Sequence, residues 1–87
     1  MNIKKWKWYV YILECQDGLY YTGITWNFDK RIEQHASGKG SKFTAKHGFK
    51  RVCYVEEFTD FTTARERERQ LKDFSRQKKE ALFFESR

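Results

Sequence analysis

Residues 8–24 read WYVYILECQDGLYYTGI, two runs of aromatic and branched aliphatic residues on either side of a short polar break. Residues of these types favour strands, and the Asp17-Gly18 pair in the break favours a tight turn. The segment therefore predicts a β-hairpin whose side chains alternate between the two faces of a sheet. For Trp8, Tyr9 and Tyr20, filling such strands is a sufficient role.

Two registers are open to this hairpin. A two-residue loop would pair Ile12 with Gly23, whereas a three-residue loop with Gly18 in the left-handed region would pair Tyr11 with Gly23. The second register places Tyr11 and Tyr21 on one face, with space beside them because glycine has no side chain. We favour it because Gly18 then stands where the bulged turn needs a positive φ.

A short helix is predicted by the next segment, ITWNFDKRIEQHASG. Thr25 or Asn27 can cap its start, and Gly38 can end it. Arg31 and His35 are four residues apart and therefore lie on one flank of the helix. An arginine stays charged and can bind two phosphate oxygens at once. Taken singly, however, each residue is more simply explained as a solvated charge or as a histidine that suits the helix dipole.

An acidic residue, Glu68, stands on the apolar side of the next long helix, predicted over residues 62–73. A carboxylate there needs a cation or a metal ion as its partner. An ion pair with Lys72, one turn further on, and a metal ion explain Glu68 equally well. Glu66 lies on the opposite, solvated side of the same helix. The residues that share the apolar side with Glu68 are Phe61, Ala64, Leu71 and Ser75.

These positions, taken in order, resemble the GIY-YIG nuclease domain. Val10-Tyr11-Ile12 is similar to the first signature triplet and Tyr21-Thr22-Gly23 to the second. The resemblance extends over residues 6–82 and is strongest to small standalone bacterial members related to the nuclease domain of the excision-repair incision subunit. The sequence differs at Glu80, near the place where many members carry asparagine, and at Ile24, near a lysine of some repair nucleases. The other matching positions are Arg31, His35 and Glu68.

The resemblance implies a divalent-metal-dependent endonuclease that hydrolyses nucleic acid, with DNA favoured over RNA and DNA repair as the setting. Glu68 would hold Mg²⁺ or Mn²⁺. A second reading is a noncatalytic nucleic-acid-binding module in which tyrosines stack on bases. A third is a protein-interaction module that retains a vestigial site. The catalytic residues implied by the first reading are Tyr11, Tyr21, Arg31, His35 and Glu68.

The remaining pattern predicts an α+β fold. Residues 51–58, RVCYVEEF, alternate as a third strand with Val52 and Tyr54 on one face. The order β-β-α-β-α-α gives a small three-stranded antiparallel sheet flanked by helices. A chain of 87 residues has room for one core, which predicts a single domain over residues 1–87. The other predicted helices cover residues 41–46, 62–73 and 75–85, the first of them within the loop before the third strand.

The net charge of +6 over 87 residues suits a polyanionic partner such as nucleic acid. Such charge attracts backbone phosphates in a salt-sensitive manner that does not depend on base sequence. A membrane surface is disfavoured, because no stretch opposes a strong apolar face to a basic one. The predicted nucleic-acid contacts are Lys39, Lys42, Lys46, Lys50, Arg69, Lys72 and Arg76.

Cysteine usage and the amino end indicate a cytoplasmic protein. Cys15 and Cys53 are far apart and have no spacing typical of a zinc site, so we expect reduced thiols. The apolar run before Glu14 is too short for a signal peptide or a membrane span.

Overall fold

The computed structural model describes residues 7–85, which form a three-stranded antiparallel sheet in the order β2-β1-β3 together with four helices. This confirms the predicted α+β fold and element order, and the short helix of the loop is present as α2. No helix within these residues is long and apolar enough to cross a membrane. The strands are β1 Trp8–Cys15, β2 Tyr20–Thr25 and β3 Phe49–Phe58, and the helices are α1 Phe28–Ala36, α2 Lys42–His47, α3 Phe61–Lys72 and α4 Arg76–Glu85.

The hairpin adopts the register with the three-residue loop. Tyr11 lies opposite Gly23, and Gly18 has a φ of 87°. The backbone N–H of Cys15 donates a hydrogen bond of 2.8 Å to the carbonyl of Leu19, which closes the loop. The predicted register is therefore confirmed, and Tyr11 and the neighbouring tyrosine of β2 share one face.

Strand β1 is central and buries both of its faces. On one face Val10 and Ile12 are completely buried against Ala64 and Leu71 of α3. Full burial of an aliphatic side chain of this size contributes roughly 1.5–3 kcal/mol to stability. The other face carries Tyr11, which is also completely buried and lies against α1.

Strand β3 departs from the predicted alternation. Ile12 of β1 pairs with Tyr54, but the next residue, Leu13, pairs with Val52, so the register shifts at Cys53. One extra residue in a strand reverses the facing of the side chains beyond it. Because Ile12 and Leu13 face opposite sides, their partners do too, and the prediction that Val52 and Tyr54 share a face was wrong.

Side-chain caps determine where the helices begin. The Asn27 side chain accepts a hydrogen bond of 3.3 Å from the backbone N–H of Lys30, so Asn27, and not Thr25, caps α1. The Ser75 hydroxyl accepts one of 3.1 Å from the backbone N–H of Lys78, as predicted for α4. Removing such a cap typically costs about 1 kcal/mol. The cap at Asn27 therefore fixes the start of α1 at Phe28.

The cysteines are free thiols, as expected. Cys15 is buried and Cys53 is half-buried, and neither forms a disulfide. Burial is the largest effect raising the pKa of both thiols, so both are protonated at neutral pH.

Candidate active site

Tyr11 stands at the centre of the candidate site, beneath α1. Its hydroxyl oxygen lies 2.9 Å from Nε2 of His35. The absence of a side chain at Gly23 makes room for the ring, because a Cβ there would lie only 2.4 Å from the Tyr11 hydroxyl oxygen. The glycine of the second triplet is thus required by the tyrosine of the first.

His35 is a buried component of this site. It is 1% exposed, and its Nδ1 lies 2.8 Å from the hydroxyl oxygen of Thr44 on α2. Gly40 allows this approach, because a Cβ there would lie 2.4 Å from Nδ1 of His35. The simpler reading of His35 as a helix-terminal residue that only suits the dipole is therefore wrong.

The hydrogen bonds on either side of His35 favour one tautomer. An arginine can only donate, so in its hydrogen bond with Arg31 the Tyr11 oxygen is the acceptor, and the buried phenol proton donates to Nε2 of His35 at 2.9 Å. A neutral imidazole has one donor, so we assign its proton to Nδ1, which donates to the Thr44 hydroxyl at 2.8 Å. The Thr44 hydroxyl can in turn donate to Ser41, whose hydroxyl and carbonyl oxygens lie 2.9 and 3.5 Å away.

Burial shifts the two hydrogen-bonded groups in opposite directions. It raises the pKa of Tyr11 to about 12, although a hydrogen bond with Arg31 opposes the shift. Burial, and then the charge of Arg31, lowers the pKa of His35 to about 4. Both groups are neutral at pH 7. Moving the Tyr11 proton onto His35 is therefore strongly unfavourable, and His35 acts as a hydrogen-bond partner of the phenol, not as its base.

Arg31 interacts with both tyrosines of the site. Burial alone would lower its pKa, but hydrogen bonds and charge interactions with Tyr11 and Tyr21 outweigh that effect and the pKa is raised. Its Nη1 also donates a hydrogen bond of 3.2 Å to Oε1 of Gln34. The guanidinium is therefore fixed in place and permanently charged.

Tyr21 differs from Tyr11 in its access to solvent. It is half-buried, whereas Tyr11 is completely buried. The ring of Tyr21 lies 5.3 Å from that of His35 and 5.7 Å from that of Phe43, between centroids. Of the two tyrosines, Tyr21 is the one that keeps part of its surface exposed to solvent.

Glu68 is buried on α3, as its helical position predicts. It is 4% exposed in the same stripe as Leu71, and Glu66 is exposed. Phe61, predicted to lie in the buried stripe, is exposed instead and packs edgewise on Trp8 with 4.7 Å between ring centroids. That prediction was wrong because Phe61 is the first residue of α3 and no preceding helical turn covers it.

The carboxylate of Glu68 pairs with two cationic side chains, and it is also a suitable ligand for a metal ion. Arg65 contacts one oxygen, and Nζ of Lys72 lies 3.2 Å from the other. Within residues 7–85, no three histidine, cysteine or acidic side chains form a metal-binding cluster. A single carboxylate still fits Mg²⁺ or Mn²⁺, which keep several waters and take ligands from substrate phosphate. After burial, the charge of Glu68 is one of the smaller effects that raise the pKa of Tyr11.

Exposed lysines lie on the α1 and α2 side of the molecule. Lys39 follows α1, and Lys42 and Lys46 belong to α2, the helix whose Thr44 holds His35. Their exposure suits contact with a polyanion. The other predicted contacts on β3 and α3 are also exposed, namely Lys50, Arg69 and Lys72.

Arg76 and Glu80 lie apart from the site tyrosines. Arg76 stacks over the ring of Tyr20, 4.5 Å from its centroid, and donates to the carbonyl of Gly18 at 2.7 Å. Glu80 accepts a hydrogen bond of 2.8 Å from the Tyr20 hydroxyl and pairs with Arg76. Tyr20 faces the α4 side of β2, opposite to Tyr21. Through its hydrogen bond with Tyr20, Glu80 therefore links α4 to strand β2.

Sequence reasoning missed the residues that support the catalytic candidates. Gly40, Ser41 and Thr44 hold His35, and Gln34 holds Arg31. The one available signal was Ser41 at the start of the predicted short helix, where a serine caps the backbone. Its contact with Thr44, which in turn bonds to His35, depends on how α2 packs against α1.

The molecule is a small α+β domain in which two tyrosines and an arginine meet on one side of the sheet and a buried acid lies on α3. The chain belongs to the GIY-YIG catalytic domain family, whose model matches residues 7–81. The predicted resemblance is thereby confirmed.

The relatives are small standalone proteins. The chain is 49% identical over 74 residues to a UPF0213 protein of Halalkalibacterium halodurans, covering 85% of this chain and 79% of that one. It is 40% identical over 75 residues to a UPF0213 protein of Halobacterium salinarum, covering 86% and 97%. The solution NMR structure of the UPF0213 protein from Bacillus halodurans matches with 48% identity and a TM-score of 0.56, covering 87% of this chain and 81% of that chain.

Proposed function

We propose that the protein is a divalent-metal-dependent endonuclease that hydrolyses phosphodiester bonds in nucleic acid, with DNA favoured over RNA. The observation that carries this proposal is the hydrogen-bonded group of Tyr11, Tyr21 and Arg31, in a domain whose helix α3 carries a buried carboxylate, Glu68. Phosphodiester hydrolysis needs a fixed cation for the charge that builds on the phosphate and a polar group for the attacking water. The site supplies both.

Arg31 is the phosphate-binding group of this mechanism. Gln34 and the tyrosines hold its guanidinium before substrate arrives, so little reorganisation is needed when two non-bridging oxygens bind. Removing one preorganised donor of this kind typically lowers the rate by about 10²–10³.

The tyrosines act on the attacking water. Water forms a bond to phosphorus while a bridging P–O bond breaks. The proton of the water passes to a phenolate oxygen or to solvent, and the leaving bridging oxygen becomes a hydroxyl by taking a proton from solvent. Tyr21 is partly exposed to solvent, whereas Tyr11, with its pKa raised by burial to about 12, can accept the proton only if nearby positive charge favours its phenolate. Neutral His35 keeps the Tyr11 oxygen in place.

Glu68 would hold the divalent cation. A bound Mg²⁺ or Mn²⁺ supplies stabilisation of charge on the phosphate oxygens. Arg65 and Lys72 have side chains that are 47% and 52% exposed, so both can move into solvent and release the carboxylate.

A noncatalytic nucleic-acid-binding module is the second candidate. It is favoured by one observation, that both oxygens of Glu68 already pair with cations. Such a module would bind through the same lysines and aromatic residues and would not need a metal ion.

Metal dependence separates the two candidates. Purified protein is incubated with single-stranded, duplex and branched DNA and with RNA, in Mg²⁺, in Mn²⁺ or in chelator. The nuclease cleaves with metal only, Glu68→Gln loses cleavage, and the matched variant Glu66→Gln retains it. Binding without cleavage in every metal supports the binding module. A role in DNA repair, which the family resemblance implies, would show as a preference for branched over intact duplex DNA.

A further inference from the structure

Strand β3 is a long strand at the edge of the sheet. It has 10 residues and pairs with β1 on one side, and no strand among residues 7–85 pairs with its other side. Alternate backbone N–H and C=O groups of an edge strand point outward and can pair with a further strand. The outer edge of β3 is therefore a surface to which a strand of another chain can be added.

The charges of β3 have opposite signs in its two halves. Its sequence is FKRVCYVEEF, with two bases, Lys50 and Arg51, in the first half and two acids, Glu56 and Glu57, in the second. Edge strands commonly carry charges that keep identical copies apart. Here an antiparallel copy centred on the middle of the strand would place each base opposite an acid, whereas a parallel copy would place like charges together. The charge order therefore favours antiparallel pairing of β3 with itself.

The register shift at Cys53 gives the two halves of β3 valines on the same face. Val55 pairs with Tyr11, and Val52 pairs with Leu13. Both of these partners lie on one face of β1, so the two valines share that face. In a regular strand, residues three apart would point to opposite faces.

The same shift places Arg51 and Glu56 together on the other face. Arg51 pairs with Glu14, and Glu56 pairs with Val10, two residues of β1 that share a face. Residues directly opposite each other in an antiparallel pair have their side chains on the same face. A second β3 can therefore pair about a two-fold axis perpendicular to the sheet, with valine opposite valine and arginine opposite glutamate.

Side chains along this edge are accessible to a partner. Those of Lys50 and Glu57 are each 50% exposed. Nζ of Lys50 lies 3.9 Å from a carboxylate oxygen of Glu14, and Nζ of Lys7 lies 3.2 Å from one of Glu57. Such partly exposed ion pairs stabilise a fold little and can rearrange. Val55 is 40% exposed and offers an apolar contact near the middle of the strand.

We propose that the outer edge of β3 binds β3 of a second copy of this chain in antiparallel orientation. The result is a homodimer with one continuous sheet, in the order β2-β1-β3-β3-β1-β2. Val55 and Tyr11 share a face, and the two-fold axis preserves faces, so both candidate active sites lie on the same side of that sheet. Dimerisation needs neither a metal ion nor nucleic acid and is independent of the proposed function.

Sedimentation equilibrium tests the dimer, at about 0.15 M salt, where charges more than about 8 Å apart are largely screened. The wild-type mass should rise from that of the monomer toward twice that value as concentration increases. Lys50→Glu and Glu57→Lys each place like charges opposite each other twice per dimer, and each should weaken the homodimer about tenfold. These two reversals change the net charge of +6 in opposite directions, so net charge cannot explain weakening by both.

An equimolar mixture of Lys50→Glu and Glu57→Lys should dimerise again, because the two substituted positions then lie opposite each other with opposite charges. Lys78→Glu, at an exposed position on α4, is the matched control and should dimerise like wild type. Circular dichroism checks that each variant is folded. A wild-type protein that stays monomeric at every concentration, a dimer unaffected by either reversal, or a mixture that stays monomeric overturns the proposal. Each of these results leaves the proposed function standing.

Discussion

At the scale of single residues, the site depends on two glycines that make room for larger side chains. Gly23 clears space for the Tyr11 ring, and Gly40 clears space for His35. The first requirement was predictable, because strand pairing places Gly23 opposite Tyr11. The second was not, because it arises where the loop after α1 folds back on its own helix and no local pattern specifies that contact.

Gly23→Ala should destabilise the protein through Tyr11. The new Cβ would lie 2.4 Å from the hydroxyl oxygen and 2.5 Å from the ring, so the ring must move. Overpacking of this kind typically costs about 1–3 kcal/mol, measured as the free energy of unfolding in urea. In a Tyr11→Leu background the same substitution should cost clearly less. Equal costs in the two backgrounds would show that the ring is not the obstacle.

Thr44→Val tests the hydrogen-bond chain that orients His35. Valine has nearly the same shape but leaves Nδ1 of His35 without its partner, and an unsatisfied buried group costs about 1–3 kcal/mol. Thr44→Ser retains the hydroxyl and serves as the control. ¹⁵N NMR of the imidazole should find the proton on Nδ1 in wild type. A proton on Nε2 in wild type would contradict the assigned tautomer.

His35 should make stability depend on pH. Its pKa is about 4 in the folded protein and 6.5 in the unfolded chain, so the unfolded chain binds more protons between these values. The stability contributed by neutral His35 is therefore full above pH 6.5 and is lost as pH falls toward 4. From pH 7 to pH 5 the loss is roughly 2 kcal/mol by linkage. Urea unfolding of wild type and of His35→Gln measures it; identical pH slopes would show that His35 titrates normally.

At the scale of secondary-structure elements, the turns and caps were predictable and the sheet irregularity was not. Gly18 and Gly23 together select one hairpin register, and Ser75 marks the start of α4. The register shift at Cys53 has no glycine or proline to signal it. Its position is set by how β3 pairs with β1 across a long loop, so the strand was predictable and the facing of its side chains was not.

The helical phase predicts which carboxylate of α3 would bind a metal ion. Glu68 falls on the buried side, whereas Glu66 faces solvent among arginines. Crystals soaked in Mn²⁺ should therefore show anomalous density at Glu68, and Glu68→Gln crystals should show none there. Density at Glu66 alone would move the metal site to the wrong face of the helix and remove Glu68 from the proposed mechanism.

At the scale of the whole molecule, the positive charge that would attract nucleic acid is distributed differently from the candidate catalytic residues. The net charge of +6 is spread over several elements, whereas the candidate catalytic residues lie on β1, β2, α1 and α3. Attraction to nucleic acid should therefore survive the loss of a catalytic residue. The site itself was only partly predictable from the sequence. The net charge follows from the composition alone, whereas the contacts among Tyr11, Arg31 and His35 form only when the elements pack together.

Nucleic-acid affinity should fall steeply with salt, because lysines and arginines that contact phosphates release counterions. Each contact contributes about 0.7–0.9 to the slope of log affinity against log salt, so Lys42→Gln should reduce that slope by about one contact. Lys78→Gln, on α4 with its ammonium 4.4 Å from the centre of the Phe74 ring, is the control and should leave the slope unchanged. Glu68→Gln should bind with the wild-type slope, since it removes no cation. A flat salt response in wild type would remove backbone phosphates from the partners of this surface.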